Sequence, residues 1–255
     1  MNKVFESSRA AVADIEDGAT LSVGGFGLCG VPTDLISALL DAGTKDLKVV
    51  SNNCGIDDGG LGLLLAKQRI SKMTSSYVGE NREFANQFLK GELEVELISQ
   101  GTLAERLRAG GCGIPAFYTP AGVGTLIEYG GLPWRYGVDG SVVLSSPPKE
   151  VRTFGTRQYI LEEAIVTDFA LVRATFGDSE GNLVFHSSTR NFNPLCAMAG
   201  KVTIAEVETL VGPGDMDPDY VHLPGIFVQR IVRAADPSKK QIEKLTVRPV
   251  PDSRN

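Results

Sequence analysis

Side-chain amides at three expected strand ends and a run of glycines are the groups in this 255-residue chain whose types and spacing suggest chemistry. Asn52-Asn53 follows one apolar stretch, Gln100-Gly101 another, and Asn81, after Gly79-Glu80, a third. Amides of this kind donate N–H groups without ionising, so together they can hold a carboxylate or a thioester oxygen. Taken singly, each amide reads as a helix cap or as a partner for loop backbone. Taken together, beside the glycines, they read as a site. The glycine run is Gly24-Gly25-Phe26-Gly27-Leu28-Cys29-Gly30, with four glycines in seven residues. Such a stretch leaves the main chain nearly bare, open to the close approach of a ligand. The helix expected to follow it turns its first amides toward an anion such as a phosphate. Gly25-x-Gly27-x-x-Gly30 also fits a dinucleotide fingerprint, which keeps a nicotinamide-dependent oxidoreductase open as a reading. Against it, Ser51-Asn52-Asn53 stands where an acidic residue would meet the ribose, and Pro32 follows the last glycine closely. A third reading is a turn whose glycines only let helix and sheet pack closely.

The elements that position these groups follow from periodicity. Ala19, Leu21 and Val23 alternate with Thr20 and Ser22, which predicts a strand. Thr33 to Ala42 predicts a helix, with Thr33 as its N-cap, Leu35, Ile36, Leu39 and Leu40 as its apolar stripe, and Gly43 as its end. Strands are expected at Leu47 to Ser51, Met73 to Val78 and Val95 to Ser99, and helices at Gly59 to Gln68, Arg82 to Lys90 and Thr102 to Ala109. This alternation predicts an α/β fold, a mostly parallel sheet with helices on both faces. From Ile114 to Pro148 the chain is richer in Gly and Pro, with a surface excursion at Tyr129 to Asp139 and a short strand at Val142 to Ser145. Further strands are expected at Asp168 to Thr175, Leu183 to Phe185, Val202 to Leu210 and Ile226 to Val232, with a short helix at Asn193 to Gly200. No linker or repeat interrupts the pattern, so residues 1–248 read as one domain and 249–255 as a frayed tail.

Composition narrows the partners. A formal net charge of -6 gives no reason to expect nucleic acid or an anionic membrane surface. No apolar run approaches the length of a membrane span, and Met1 to Arg9 carries no signal-peptide core, so a cytoplasmic protein is expected. Cys29, Cys54, Cys112 and Cys196 form no Cys-x-x-Cys pair and read as reduced thiols near the core. His186 and His222 lie in no metal-ligand spacing, so no metal is expected and both histidines read as structural.

Asp17-Gly18, Gly24-Gly25-Phe26 and Gly30-x-Pro32 together resemble the signature of family I coenzyme A transferases, in their first (A, or alpha) subunit. Ser51-Asn52-Asn53, Ser76-Tyr77-Val78-Gly79-Glu80-Asn81, Gln100 to Arg106, Pro115 to Pro120 and Thr189-Arg190-Asn191-Phe192-Asn193 continue the likeness along nearly the whole chain. Ser22 departs from the apolar run usual before the double glycine, and the alternation of the strand accounts for it. The stretch from Glu128 to Arg152 resembles the longer excursion of the members acting on succinyl-CoA and 3-oxoacids, rather than the shorter connection of the acetate–acetoacetate enzymes.

The resemblance implies ping-pong transfer of CoA from succinyl-CoA to a 3-oxoacid such as acetoacetate. A glutamate attacks the thioester, and CoA is held for a time as a glutamyl thioester. CoA is then a substrate and covalent intermediate, and no permanently bound cofactor is implied. By the same resemblance, Gln100 serves the reacting acyl group, Asn52 and Asn53 hold the substrate carboxylate, and Gly24, Gly25, Phe26, Gly27, Leu28, Cys29 and Gly30 line the CoA side. The attacking glutamate of the family sits in a Ser-Glu-Asn-Gly stretch of a homologous B subunit, and this chain has no such stretch. Gly79-Glu80-Asn81-Arg82 is a partial look-alike just before an expected helix, where an acid also complements the helix dipole. The chain is therefore expected to be half of an enzyme, a heterodimer or heterotetramer with the B subunit. An acetate or short-chain acyl-CoA transferase, and a non-catalytic module binding CoA or an acid, are the other readings.

Overall fold

The alternating apolar stretches become a parallel sheet in the computed structural model, which describes residues 3–79 and 81–238. Glu80 and the expected tail at 249–255 lie outside the described residues. The first half runs α1 (Ser8–Ala11), β1 (Thr20–Val23), α2 (Thr33–Ala42), β2 (Leu47–Val50), α3 (Gly62–Leu65), β3 (Ile70–Ser75), α4 (Arg82–Leu89), β4 (Glu94–Leu97) and α5 (Gln100–Gly111). An antiparallel excursion follows: β5 (Ala116–Thr119), α6 (Leu126–Tyr129), β6 (Pro133–Tyr136), β7 (Val142–Ser145), β8 (Val151–Phe154) and β9 (Arg157–Glu163). The chain returns through β10 (Thr167–Asp178), β11 (Leu183–Val184), α7 (Asn193–Ala199), β12 (Gly200–Val211) and β13 (Arg230–Arg233).

Among the described residues the main sheet has the order β13-β12-β10-β1-β2-β3-β4, with β11 hairpinned onto β10. Every pairing along that order is parallel. The chain steps outward from β1 to β4, crosses back to β10 on the other side of β1, and steps outward again. Strand order thus reverses between β1 and β10, the kind of place where open α/β sheets bind ligands beyond the carboxyl ends of their strands.

Both faces of the sheet are covered. Leu171 and Ile204 pack with Leu35, Leu39, Leu64 and Phe84 on the face of α1 to α4. Their neighbours Val172 and Ala205 pack with Leu103, Leu107 and Cys196 on the face of α5 and α7. Successive residues entering opposite cores is period two with no solvent side. Ser22 is therefore fully buried rather than solvent-facing, sharing a hydrogen bond with the Thr167 hydroxyl at 2.9 Å and donating to the Cys196 carbonyl at 3.0 Å.

Some expected boundaries shift. β3 ends at Ser75 rather than Val78, because the Ser76 amide turns to the Asn52 carbonyl (3.1 Å). Gln100 and Gly101 belong to the first turn of α5 instead of preceding it. β13 begins at Arg230, after a 3-10 turn at Gly225–Phe227. The expected surface excursion at Tyr129 to Asp139 contains β6, held by Tyr136 edge-on to Phe88 (centroids 5.1 Å apart) and by Lys72 over the Trp134 ring. β5, β8 and β9 were not expected from periodicity. All four residues of β8 are exposed, so its sequence carries no in-out alternation. Of the cysteines, Cys54 and Cys196 are buried as expected, whereas Cys29 is half-buried and Cys112 exposed. Burial pushes both buried thiols up to about 12, which leaves them inert. Among the described residues no helix is long and apolar enough to cross a membrane.

Candidate active site

Three neighbouring strand ends bring together the amides of two of the three predicted ends, with Ser76 between them. Asn52 follows β2, Ser76 follows β3 and Gln100 opens α5 just beyond β4. The Gln100 Nε2 donates to Asn52 Oδ1 at 2.9 Å, and the Ser76 hydroxyl donates to the same oxygen at 3.0 Å. Two donors on Oδ1 fix the orientation of the Asn52 amide. Its Nδ2 is thereby turned toward Asn53 Oδ1, 3.4 Å away. Asn52 and Asn53 are buried, whereas Gln100 is exposed, with its second N–H and its carbonyl left to offer a ligand. A cleft of about 430 Å³ opens against the first turn of α5, lined by Ser99, Gly101, Thr102, Glu105, Phe117 and Tyr118 among others, the neighbours of Gln100 rather than Gln100 itself. The Ser99 side chain makes no capping bond to that turn. Ser76 and Asn52 thus hold in place the Gln100 amide, whose remaining N–H is a neutral, pre-aligned donor suited to an oxygen on which negative charge develops. Ser76 was visible to sequence reasoning only within the family-like stretch, and its bond to Asn52 completes the array.

The amide of the third predicted end does not join them. Asn81 caps α4, accepting from the Phe84 amide at 2.9 Å and donating to the Cys54 carbonyl at 3.1 Å. Asp57 supplies a second cap by accepting from the amides of Arg82 and Glu83. His222 is structural, its Nδ1 accepting from the Phe185 amide while its ring stacks on Phe185.

The glycine run lies at the reversal between β1 and β10, as its place after β1 requires. Gly24, Gly25, Leu28 and Gly30 are buried, Gly27 and Cys29 half-buried, and Phe26 exposed. Phe26 and Cys29 close the tip by reciprocal backbone bonds of 3.0 Å. Leu28 reaches over to the loop after β2, where Gly59 and Gly60 leave room for its methyl group. The space above Gly24 and Gly30 is filled by the side-chain amide of Asn193.

The anion expected at the start of α2 is a residue of the chain itself. Thr33 is not the cap: the N-cap position is Pro32, and the Thr33 hydroxyl turns back to the Val31 carbonyl. Glu206 of β12 takes the role, one carboxylate oxygen accepting from the amides of Asp34 (2.8 Å) and Leu35 (3.2 Å). Its other oxygen accepts from the Arg173 guanidinium at 2.9 Å, both side chains being buried. Burial pushes Glu206 up to about 7, against the opposing pull of Arg173 and the helix amides. With Asn193 over the glycines and Glu206 on the helix amides, the cradle that a pyrophosphate would use is occupied from within. This overturns the dinucleotide reading.

Comparison with known proteins agrees. A family model described as coenzyme A transferase matches residues 5–234. A protein from Mycobacterium bovis, described as the A subunit of a probable succinyl-CoA:3-ketoacid coenzyme A transferase, is 62% identical to this chain, over 97% of this chain and 100% of the other. A protein of the same description from Bacillus subtilis is 56% identical, over 97% and 96%. Among solved structures the chain resembles an acyl-CoA transferase from Escherichia coli, with a TM-score of 0.80 and 25% identity, covering 94% of this chain and 48% of that one. This chain thus spans about half the length of that enzyme. A glutaconate coenzyme A-transferase from Acidaminococcus fermentans shares the fold, with a TM-score of 0.74 at 20% identity, over 91% of this chain and 75% of that one.

Proposed function

The chain belongs to the coenzyme A transferase family, and from that premise we propose that it is the A subunit of an enzyme moving CoA from succinyl-CoA to a 3-oxoacid such as acetoacetate. The observation that carries the reading is the array of Gln100, Asn52 and Ser76. It offers a carbonyl oxygen the spare N–H of Gln100, held in place by Asn52, yet none of these three groups is a base or a nucleophile suited to attack a thioester. Such an array needs a nucleophile from elsewhere, and the description of both relatives as A subunits supports a second chain.

In the proposed reaction a carboxylate oxygen of a glutamate on the B subunit attacks the thioester carbonyl carbon. The C–S bond breaks, giving a mixed anhydride and CoA thiolate. The thiolate attacks the glutamyl carbonyl, releasing succinate and leaving a glutamyl-CoA thioester. The 3-oxoacid carboxylate then repeats the exchange in reverse, takes CoA and frees the glutamate. Each attack places negative charge on a carbonyl oxygen, and Gln100 is the donor that meets it. Loss of one such donor raises a barrier by roughly 2.7–4 kcal/mol. Asn52 and Asn53 hold the substrate carboxylate, and the tip around Phe26 and Gly27 lines the CoA side. CoA is substrate and covalent intermediate, and no further cofactor has a role. The complex is a heterodimer or heterotetramer working in the cytoplasm.

The test is to co-purify the chain with its B subunit and follow thioester exchange between succinyl-CoA and acetoacetate, with acetate as a competing acid. Acetoacetate-dependent loss of succinyl-CoA is expected. A preference for acetate would move the protein to the short-chain transferases, and CoA binding without exchange would make it a binding module.

A further inference from the structure

Gly24 and Gly30 bracket the loop after β1, and one side chain packs against both, making glycine necessary at Gly24 and adding to the demand that a left-handed φ of 72° already makes at Gly30. A Cβ on Gly24 would lie 1.9 Å from Oδ1 of Asn193, and one on Gly30 would lie 2.8 Å from its Nδ2. Asn193, the first residue of α7, is fully buried. Its Oδ1 accepts from the Arg173 amide of β10 at 2.9 Å. Its Nδ2 donates to the carbonyls of Gly30 at 3.0 Å and Thr189 at 2.8 Å. Asn191 adds a bond of 3.1 Å from its own Nδ2 to the Cys29 carbonyl. Two successive carbonyls at the loop's exit are thus held by amides of one short segment, which is itself tied to β10. The exposed part of the loop is its tip, where Phe26 is 49% exposed.

We propose that Asn193, assisted by Asn191, is a positioning residue that fixes the glycine loop so that its tip meets the acyl-CoA. This role rests on the reading that the tip lines the CoA side of a transferase site. Neither amide is placed to touch the reacting atoms, so their loss loosens CoA engagement and leaves the chemistry at Gln100 in place. The contact itself is open to a double-mutant cycle. Gly24 does not occupy the left-handed region, so alanine is barred there by the Asn193 amide and not by backbone conformation. Removing that amide relieves the closest clash.

The complex with the B subunit is made with Gly24→Ala, Asn193→Ala and both together. Each single change is expected to lower the melting temperature, and the double variant to lose less than their sum. In kinetics, Asn193→Ala is expected to raise KM for succinyl-CoA about tenfold, the equivalent of one buried hydrogen bond. kcat should stay within about threefold and KM for acetoacetate should not move, a split that general destabilisation would not give. Strict additivity in the melts, or an unchanged KM for succinyl-CoA in a folded variant, would overturn the positioning role while wild-type exchange upheld the transferase reading. A wild-type complex that transfers no CoA would remove both. If Asn193→Ala does not fold, Asn191→Ala carries the kinetic test from a half-buried position, with a smaller rise expected in the same KM and an unchanged value counting against the role.

Discussion

Gln100 is exposed, yet its amide is anchored by the bond to buried Asn52. A donor held in advance is worth more to a developing oxyanion than one that must be ordered during the reaction. Replacing Gln100 by alanine is expected to lower turnover of the complex by roughly one to three orders of magnitude. Its stability should change by only about 0.5 kcal/mol, as for an exposed side chain. Steady-state kinetics and urea unfolding of the same preparation check both. Wild-type turnover would remove Gln100 from the site, and a large loss of stability would give it a structural role. At this scale the sequence was informative where the chemistry is local. Asn52 and Gln100 stand at strand ends that periodicity places correctly to within a few residues. Asn193 and Glu206 were not legible as partners of the loop and helix, because they arrive from 163 and 172 positions away in the chain. A glycine run signals that something sits close to the backbone, but not whether that is a ligand or an asparagine of the same chain.

The elements show the same division. α2 begins and ends where its apolar stripe and Gly43 place it, and Gly43 has the left-handed φ of 78° expected of a helix terminator. Its cap, however, was decided by a strand late in the chain. The start of β1 is fastened to β10 by a reciprocal pair. Asp168 accepts from the Thr20 amide (3.1 Å) and hydroxyl (2.6 Å), while the Asp168 amide donates back to that hydroxyl (2.8 Å). The Thr20 hydroxyl first, then its amide and Lys201, hold the Asp168 carboxyl down to about 2 from its ordinary 3.8. A carboxyl depressed in the folded state favours folding above its unfolded value. The contribution is complete well above pH 3.8 and is lost as pH falls through about 2. Because the Asp168 side chain is 42% exposed, its solvent-screened worth is under about 1 kcal/mol. Asp168→Asn should therefore be slightly less stable than the wild type at pH 7, and the gap should narrow as pH falls from 4 toward 2. Urea unfolding at a series of pH values measures it, and a gap that ignored pH would show that the carboxylate charge plays no part.

For the whole molecule, the parallel sheet was legible because both of its faces are buried and its strands alternate with amphipathic helices. Within the excursion from β5 to β9, β7 lies where it was expected, at Val142–Ser145, but β5 and β8 were not legible, since β8 is wholly exposed and every residue of β5 is only half-buried, so neither strand has an apolar phase to detect. The arrangement of β2 to β4 gathers Asn52, Ser76 and Gln100 at the carboxyl ends of the strands, and the family resemblance assigns the attacking carboxylate to another chain. The proposal that this protein is half of an active site has one direct measurement. The complex with the B subunit is incubated with succinyl-CoA, treated with borohydride to reduce the glutamyl thioester, digested and mapped by mass spectrometry. The expected result is a single reduced glutamate on the B subunit, with Glu80 unmodified and no adduct when this chain is treated alone. A reduced glutamate on this chain, or CoA transfer by this chain without its partner, would contradict the account.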